Sequence, residues 1–112
     1  MRKILFVLLC LPALARAEFW TGNDLYSGLT SNELMSKMQA LGYVMGVYDT
    51  GVTLAFCPPT ERGITAGQIN DIVRLYLERN PAQRNKTGDR VVLDALIKTW
   101  PCPTSKTPGR ST

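Results

Sequence analysis

The sequence predicts an all-α domain: three main helices with short turns between them, closed by a single disulfide. Two observations carry the helices. Leu34, Met38, Leu41, Met45, Tyr48, Val52 and Ala55 recur at alternating steps of four and three, the period of one helix face. No stretch alternates polar and apolar residues for long enough to make a strand. A third observation, the cysteine arithmetic, supplies the closure and depends on how the chain begins.

Met1-Arg2-Lys3 is a short cationic segment, and Ile4–Leu11 is an unbroken apolar run ended by Pro12. Ala15-Arg16-Ala17 places small residues where a signal peptidase reads them, so residues 1–17 are expected to be a signal peptide cleaved between Ala17 and Glu18. The run falls short of the ~20 residues a membrane-spanning helix needs, so no stable membrane anchor is expected. Removal of residues 1–17 takes Cys10 away and leaves one pair, Cys57 and Cys102. In an exported protein that pair is expected to be bonded. A ring of this length contributes roughly 4 kcal/mol in the chain-entropy treatment, out of the ~5–15 kcal/mol a small domain has in total.

Processing also removes the basic character. Loss of Arg2, Lys3 and Arg16 from the 13 lysines and arginines leaves 10 against 9 acidic residues. No basic stripe interleaved with aromatics remains, which argues against nucleic-acid binding. Residues 18–103 read as one helical domain. The tail at 104–112, with no apolar residue to bury, is expected to be disordered.

The first stretch of that domain, up to Asn23, reads as an extended or turning lead-in. Asp24–Leu29 reads as a short helical turn capped by Thr21 or Asn23. Phe19, Trp20, Leu25, Tyr26 and Leu29 are expected to fold back on the main body. Thr30 and Glu33 have capping-box spacing, so the first long helix is expected to open there and to run to about Phe56. Gly42, Gly46 and Thr50 lie four apart beside the apolar stripe. A glycine inside a helix costs about 1 kcal/mol, so another backbone is expected to pack closely against them inside the fold, with a dimer seam as the alternative.

After the rigid connection Pro58–Gly63, Thr65 and Gln68 give a second capping box, and Ile64 can staple to Ile69 across it. The helix that follows is expected to carry Ile69, Ile72, Val73 and Tyr76 inward, with Leu75 or Leu77 at the margins and Arg74–Glu78 paired outside. Asn80 caps a single turn with Pro81 at its first helical position. A polar loop, Arg84–Gly88, leads to the last helix. That helix starts near Thr87 or Gly88, buries Val92, Ala95 and Leu96, and stops at Pro101.

The chemistry on offer is sparse. The chain has no histidine, so Ser–His and Cys–His nucleophilic pairs and histidine metal ligation are absent. No glycine-rich loop follows a strand. Glu61, Asp71, Glu78, Asp89 and Asp94 are scattered over separate elements and read as solvated surface charge. The expectation is a non-enzyme with no metal and no cofactor.

Several strings in succession carry a resemblance: Gly42-Tyr43-Val44-Met45-Gly46-Val47, Phe56-Cys57 with Pro59, Ile64-Thr65 with Gly67-Gln68, and Tyr76-Leu77 with Asn80-Pro81. Val92-Leu93 with Ala95-Leu96, and Trp100-Pro101-Cys102-Pro103, complete it. In this order they resemble the Rap/Tai family of immunity proteins, which act against type VI secretion peptidoglycan amidases. The resemblance covers nearly the whole of the processed chain, residues 18–112. It implies a small periplasmic helical protein, often a homodimer, that binds an amidase effector and blocks its cleft, with Cys57 and Cys102 as the family's disulfide. Two features depart from the family pattern: no second cysteine pair lies in Tyr26–Ala40, and Asn85 stands where a histidine is common.

Blocking a cleft calls for a polar surface that is ordered before binding, because ordering it afterwards costs affinity. Thr60–Gly63 and Arg84–Gly88 fit that description, which makes Glu61, Arg62, Arg84, Asn85 and Lys86 the candidate partner contacts. The alternative function is a general periplasmic binding or acid-stress chaperone-like module of HdeA-type architecture.

Overall fold

The computed structural model describes residues 19–59 and 63–103. The cleavage site at Ala17 and Glu18, the candidate contacts Glu61 and Arg62, and the tail at 104–112 lie outside the described residues. The described elements are α1 (Gly22–Leu29), α2 (Leu34–Gly51), α3 (Ala66–Arg79), a 3₁₀ turn (Pro81–Gln83) and α4 (Gly88–Thr99). The all-α class holds, and four helices take the place of the expected three.

The additional helix is α1, longer than the turn expected from Asp24. Thr21 and Asp24 close a reciprocal box at its start. The Asp24 N–H donates to Thr21 Oγ1 at 3.3 Å, and the Thr21 N–H donates to Asp24 Oδ2 at 3.0 Å. Two of the free N–H groups at the helix start are thereby satisfied. Leu25 and Leu29 are buried, and Trp20 and Tyr26 pack at the core's edge. Phe19 does not fold back: it is 85% exposed.

Thr30 ends α1 instead of opening α2. Its hydroxyl donates to the Tyr26 carbonyl at 2.7 Å, and its N–H bonds the same oxygen at 3.0 Å. With that oxygen drawn back into α1, the box with Glu33 does not form. Glu33 is itself the residue preceding α2, and its carboxylate accepts from the Ser36 hydroxyl.

Leu41, Met45, Tyr48, Val52 and Ala55 of the expected stripe pack against the core, but its first two members, Leu34 and Met38, face out. Ala40 and Val44 are wholly buried, while Leu34, Met35 and Met38 are 70%, 73% and 57% exposed. Apolar residues spread round most of this helix, so periodicity alone does not fix where the buried face is centred. The choice is made by Ala40, which is small enough to let α1 cross at Gly28. Gly42 and Gly46 fall on the outer side, where an added Cβ would meet nothing within 4 Å, so the close packing expected there is absent.

The helix also ends earlier than expected, at Gly51. Thr53 takes a left-handed conformation with φ 66° and breaks the helical path. Phe56 then returns over the helix end: the Thr53 N–H donates to the Phe56 carbonyl at 2.8 Å, and the Phe56 ring, fully buried, lies against Gly51.

Beyond the connection most expectations hold, though the second capping box closes only on its Thr65 side. Thr65 caps α3 by accepting from the Gln68 N–H at 3.1 Å. Ile69, Val73 and Leu77 are buried, so Leu77 belongs to the core and not to its margin. Arg74 pairs with Glu78 at 3.2 Å. Asn80 ends the helix, its Nδ2 donating to the Tyr76 carbonyl at 2.8 Å, and Pro81 opens the 3₁₀ turn. α4 contributes Val91, Val92, Ala95 and Leu96 to the core.

Cys57 and Cys102 are bonded, with their Cα atoms 4.8 Å apart. The Cys57 N–H also donates to the Trp100 carbonyl at 2.8 Å, so a backbone bond reinforces the junction. The end of α4 is thereby fixed to the segment that leaves α2.

Candidate partner-binding surface

The two stretches that carry the candidate contacts flank opposite ends of α3. Fourteen residues of helix separate them, about 20 Å at 1.5 Å per residue.

The loop after α3 is held firmly by the lead-in to α1. The Gly22 N–H donates to the Lys86 carbonyl at 2.8 Å, the Asn23 N–H to the Arg84 carbonyl at 2.8 Å, and the Gly88 N–H to the Trp20 carbonyl at 2.7 Å. Thr21 and Thr87 form an isolated antiparallel bridge in the middle of this stitching. A polar loop bonded through its backbone in this way is ordered without a partner, and it leaves side chains free to point outward.

Its three candidates are placed differently. Arg84 is turned into the fold: its Nε donates to the Leu77 carbonyl at 2.8 Å, and its guanidinium lies 3.9 Å from the centre of the Tyr26 ring. Asn85 is exposed. Lys86 is exposed too, with its ammonium 3.6 Å from Asp94, which Arg90 also approaches at 3.2 Å. The structure therefore brings Asn85 and Lys86 together on the surface and spends Arg84 inside.

A second surface is the outer face of α2. Leu34, Met35 and Met38 are exposed there beside Gly42 and Gly46. A methionine-rich apolar face of this kind adapts to varied partners. The signal for it was present in the sequence: Leu34, Met35 and Met38 at the start of the helix lie on the far side from Ala40, so one side had to face out. No described helix is long and apolar enough to cross a membrane. Among the described residues no group of three Cys, Asp or Glu side chains is placed to hold a metal ion.

The fold and these surfaces define a small helical domain closed by one disulfide. The chain belongs to the Rap1a immunity protein family, whose model matches residues 21–102. A comparison with curated proteins found no match.

Proposed function

We propose that this chain is a periplasmic immunity protein that binds a type VI secretion peptidoglycan amidase and blocks its active site. Family membership across residues 21–102 carries the reading. It is supported by the loop at 84–88, which is ordered in advance by three backbone bonds to the α1 lead-in. In this proposal Asn85 and Lys86 contact the amidase, with Glu61 and Arg62 as a second contact zone beyond the other end of α3. Inhibition is stoichiometric and uses surface only, so the protein acts without a cofactor. A second copy of the chain is the partner we assign to the outer α2 face, making a homodimer that leaves the 84–88 loops free.

The test is co-expression with an amidase encoded beside this gene and directed to the periplasm. Cells are expected to lyse without this chain and to survive with it, and the two proteins are expected to co-purify. Failure of both rescue and co-purification would remove the proposal. Suppression of acid-induced aggregation of unrelated proteins, without amidase binding, would put the chaperone-like reading in its place.

A further inference from the structure

The lead-in to α1 and the start of α4 enclose a cavity of about 470 Å³ lined by Phe19, Trp20, Tyr43, Thr87 and Asp89. Three of these five residues are aromatic and one is an acid. The Trp20 and Tyr43 rings stack with centroids 5.3 Å apart and planes 16° from parallel, which leaves each ring one face outside the stack. Phe19 stands at the rim, 85% exposed, where burial gains it nothing. The stacked pair is rigid, because the Trp20 carbonyl is bonded to the Gly88 N–H and the Tyr43 phenol is seated on Gly88.

Asp89 supplies the charge. Like those of Asp24, Glu33 and Asp49, the Asp89 carboxylate has no ion-pair partner among the described residues, and it is the one that lines this aromatic pocket. Aromatic faces attract a cation through their quadrupole, and a carboxylate beside them adds direct attraction. Together they select a positively charged group. An aromatic face beside a carboxylate also favours a planar cation over a compact ammonium, since guanidinium both stacks and makes forked hydrogen bonds to a carboxylate. The fold already uses this chemistry once, where Arg84 lies over Tyr26.

We infer that the Phe19–Trp20–Tyr43–Asp89 pocket is a receptor for an arginine side chain presented by a protein partner. The pocket adjoins the loop at 84–88 through Thr87, so a protein seated on that loop would reach it. The inference does not require that protein to be an amidase, and its test needs no partner.

The test uses the processed chain and blocked amino acids as probes, followed by NMR. N-acetyl-arginine methylamide is expected to shift the Trp20 indole N–H and the Thr87 and Asp89 amide signals in a saturable way, with half-saturation in the millimolar range. The citrulline analogue, matched in shape but uncharged, is expected to leave them in place, and the lysine analogue is expected to bind more weakly. Asp89→Asn should weaken arginine binding about tenfold, the usual share of a charged partner, and Phe19→Ala should weaken it less. Both side chains are exposed, so an unchanged amide spectrum elsewhere will show that the fold is intact. Equal shifts with citrulline, equal or tighter binding of lysine, full binding in Asp89→Asn, or no saturable shift with arginine would each overturn the inference.

Discussion

Gly28 and Ala40 meet where α1 crosses α2, and a methyl group added to Gly28 would lie 2.7 Å from the Ala40 Cβ and 3.2 Å from the Ser36 carbonyl oxygen. Neither neighbour is the end of a flexible side chain, so the helices themselves must move apart. Overpacking of this kind costs roughly 1–3 kcal/mol. Gly28→Ala is therefore expected to lower the melting temperature by several degrees, and thermal unfolding followed by circular dichroism checks it. Adding Ala40→Gly to that variant should recover part of the loss, because it removes the atom in the way.

Gly42 and Gly46 give the opposite result. Both lie inside α2 with open space where a Cβ would stand. Replacing each by alanine relieves the flexibility cost of a helical glycine without a clash, worth about 0.5–1 kcal/mol. Gly42→Ala and Gly46→Ala are each expected to raise stability in dilute solution, measured by urea denaturation. A loss in either variant would mean that something packs against that face.

These two pairs of glycines mark where the sequence was readable and where it was not. The helical class, the disulfide, the Thr65 cap, the Asn80-Pro81 break and the inward face of α4 all follow from local signals, and the structure contains each of them. The orientation of α2 does not follow locally. Its apolar residues spread round most of the helix, and the choice rests on a contact with Gly28 that periodicity does not encode. Thr30 was ambiguous for a related reason: a threonine four residues after Tyr26 can close one helix or open the next, and the nearer carbonyl won. Among the candidate contacts, the exposed position of Asn85 and Lys86 matched the reading of a polar loop. The inward turn of Arg84 depends on Tyr26, far away in sequence.

The disulfide spans 45 positions, so it removes much of the freedom of the unfolded chain. Cys57→Ser is expected to cost roughly 4 kcal/mol by loop-closure entropy. Reductant should lower the melting temperature of the parent protein by a similar amount and leave that of Cys57→Ser unchanged. Equal melting of parent and variant would show that the bond contributes nothing.

Alkaline pH should weaken the fold through Tyr43. Burial, and then the nearby charge of Asp89, raises its pKa above the ordinary 10.0. The folded state therefore holds the phenol proton more tightly than the unfolded state. Stability from this group is complete below pH 10.0 and is lost as pH rises through the higher folded value. Melting temperature should fall above that pH, and Tyr43→Phe should reduce the fall, since it keeps the ring on Trp20 without the ionisable hydroxyl. An identical alkaline decline in both proteins would assign the effect elsewhere.

Arg84 and Lys86 are two residues apart on one loop, yet their variants should fail in different ways. Arg84→Met removes the bond to the Leu77 carbonyl and the cation over Tyr26, together worth about 1–3 kcal/mol in a partly buried setting. Lys86→Met removes one exposed ion pair to Asp94, which keeps Arg90, and such pairs are worth under about 1 kcal/mol. Melting temperature should drop clearly for Arg84→Met and barely for Lys86→Met. In an amidase inhibition assay the order is expected to reverse. Lys86→Met, and Asn85→Ala with it, should raise the concentration needed for half-inhibition while folding normally. Arg84→Met should inhibit in proportion to its folded fraction, and cooling should restore it. Inhibition by Lys86→Met and Asn85→Ala equal to that of the parent would move the contact surface away from this loop.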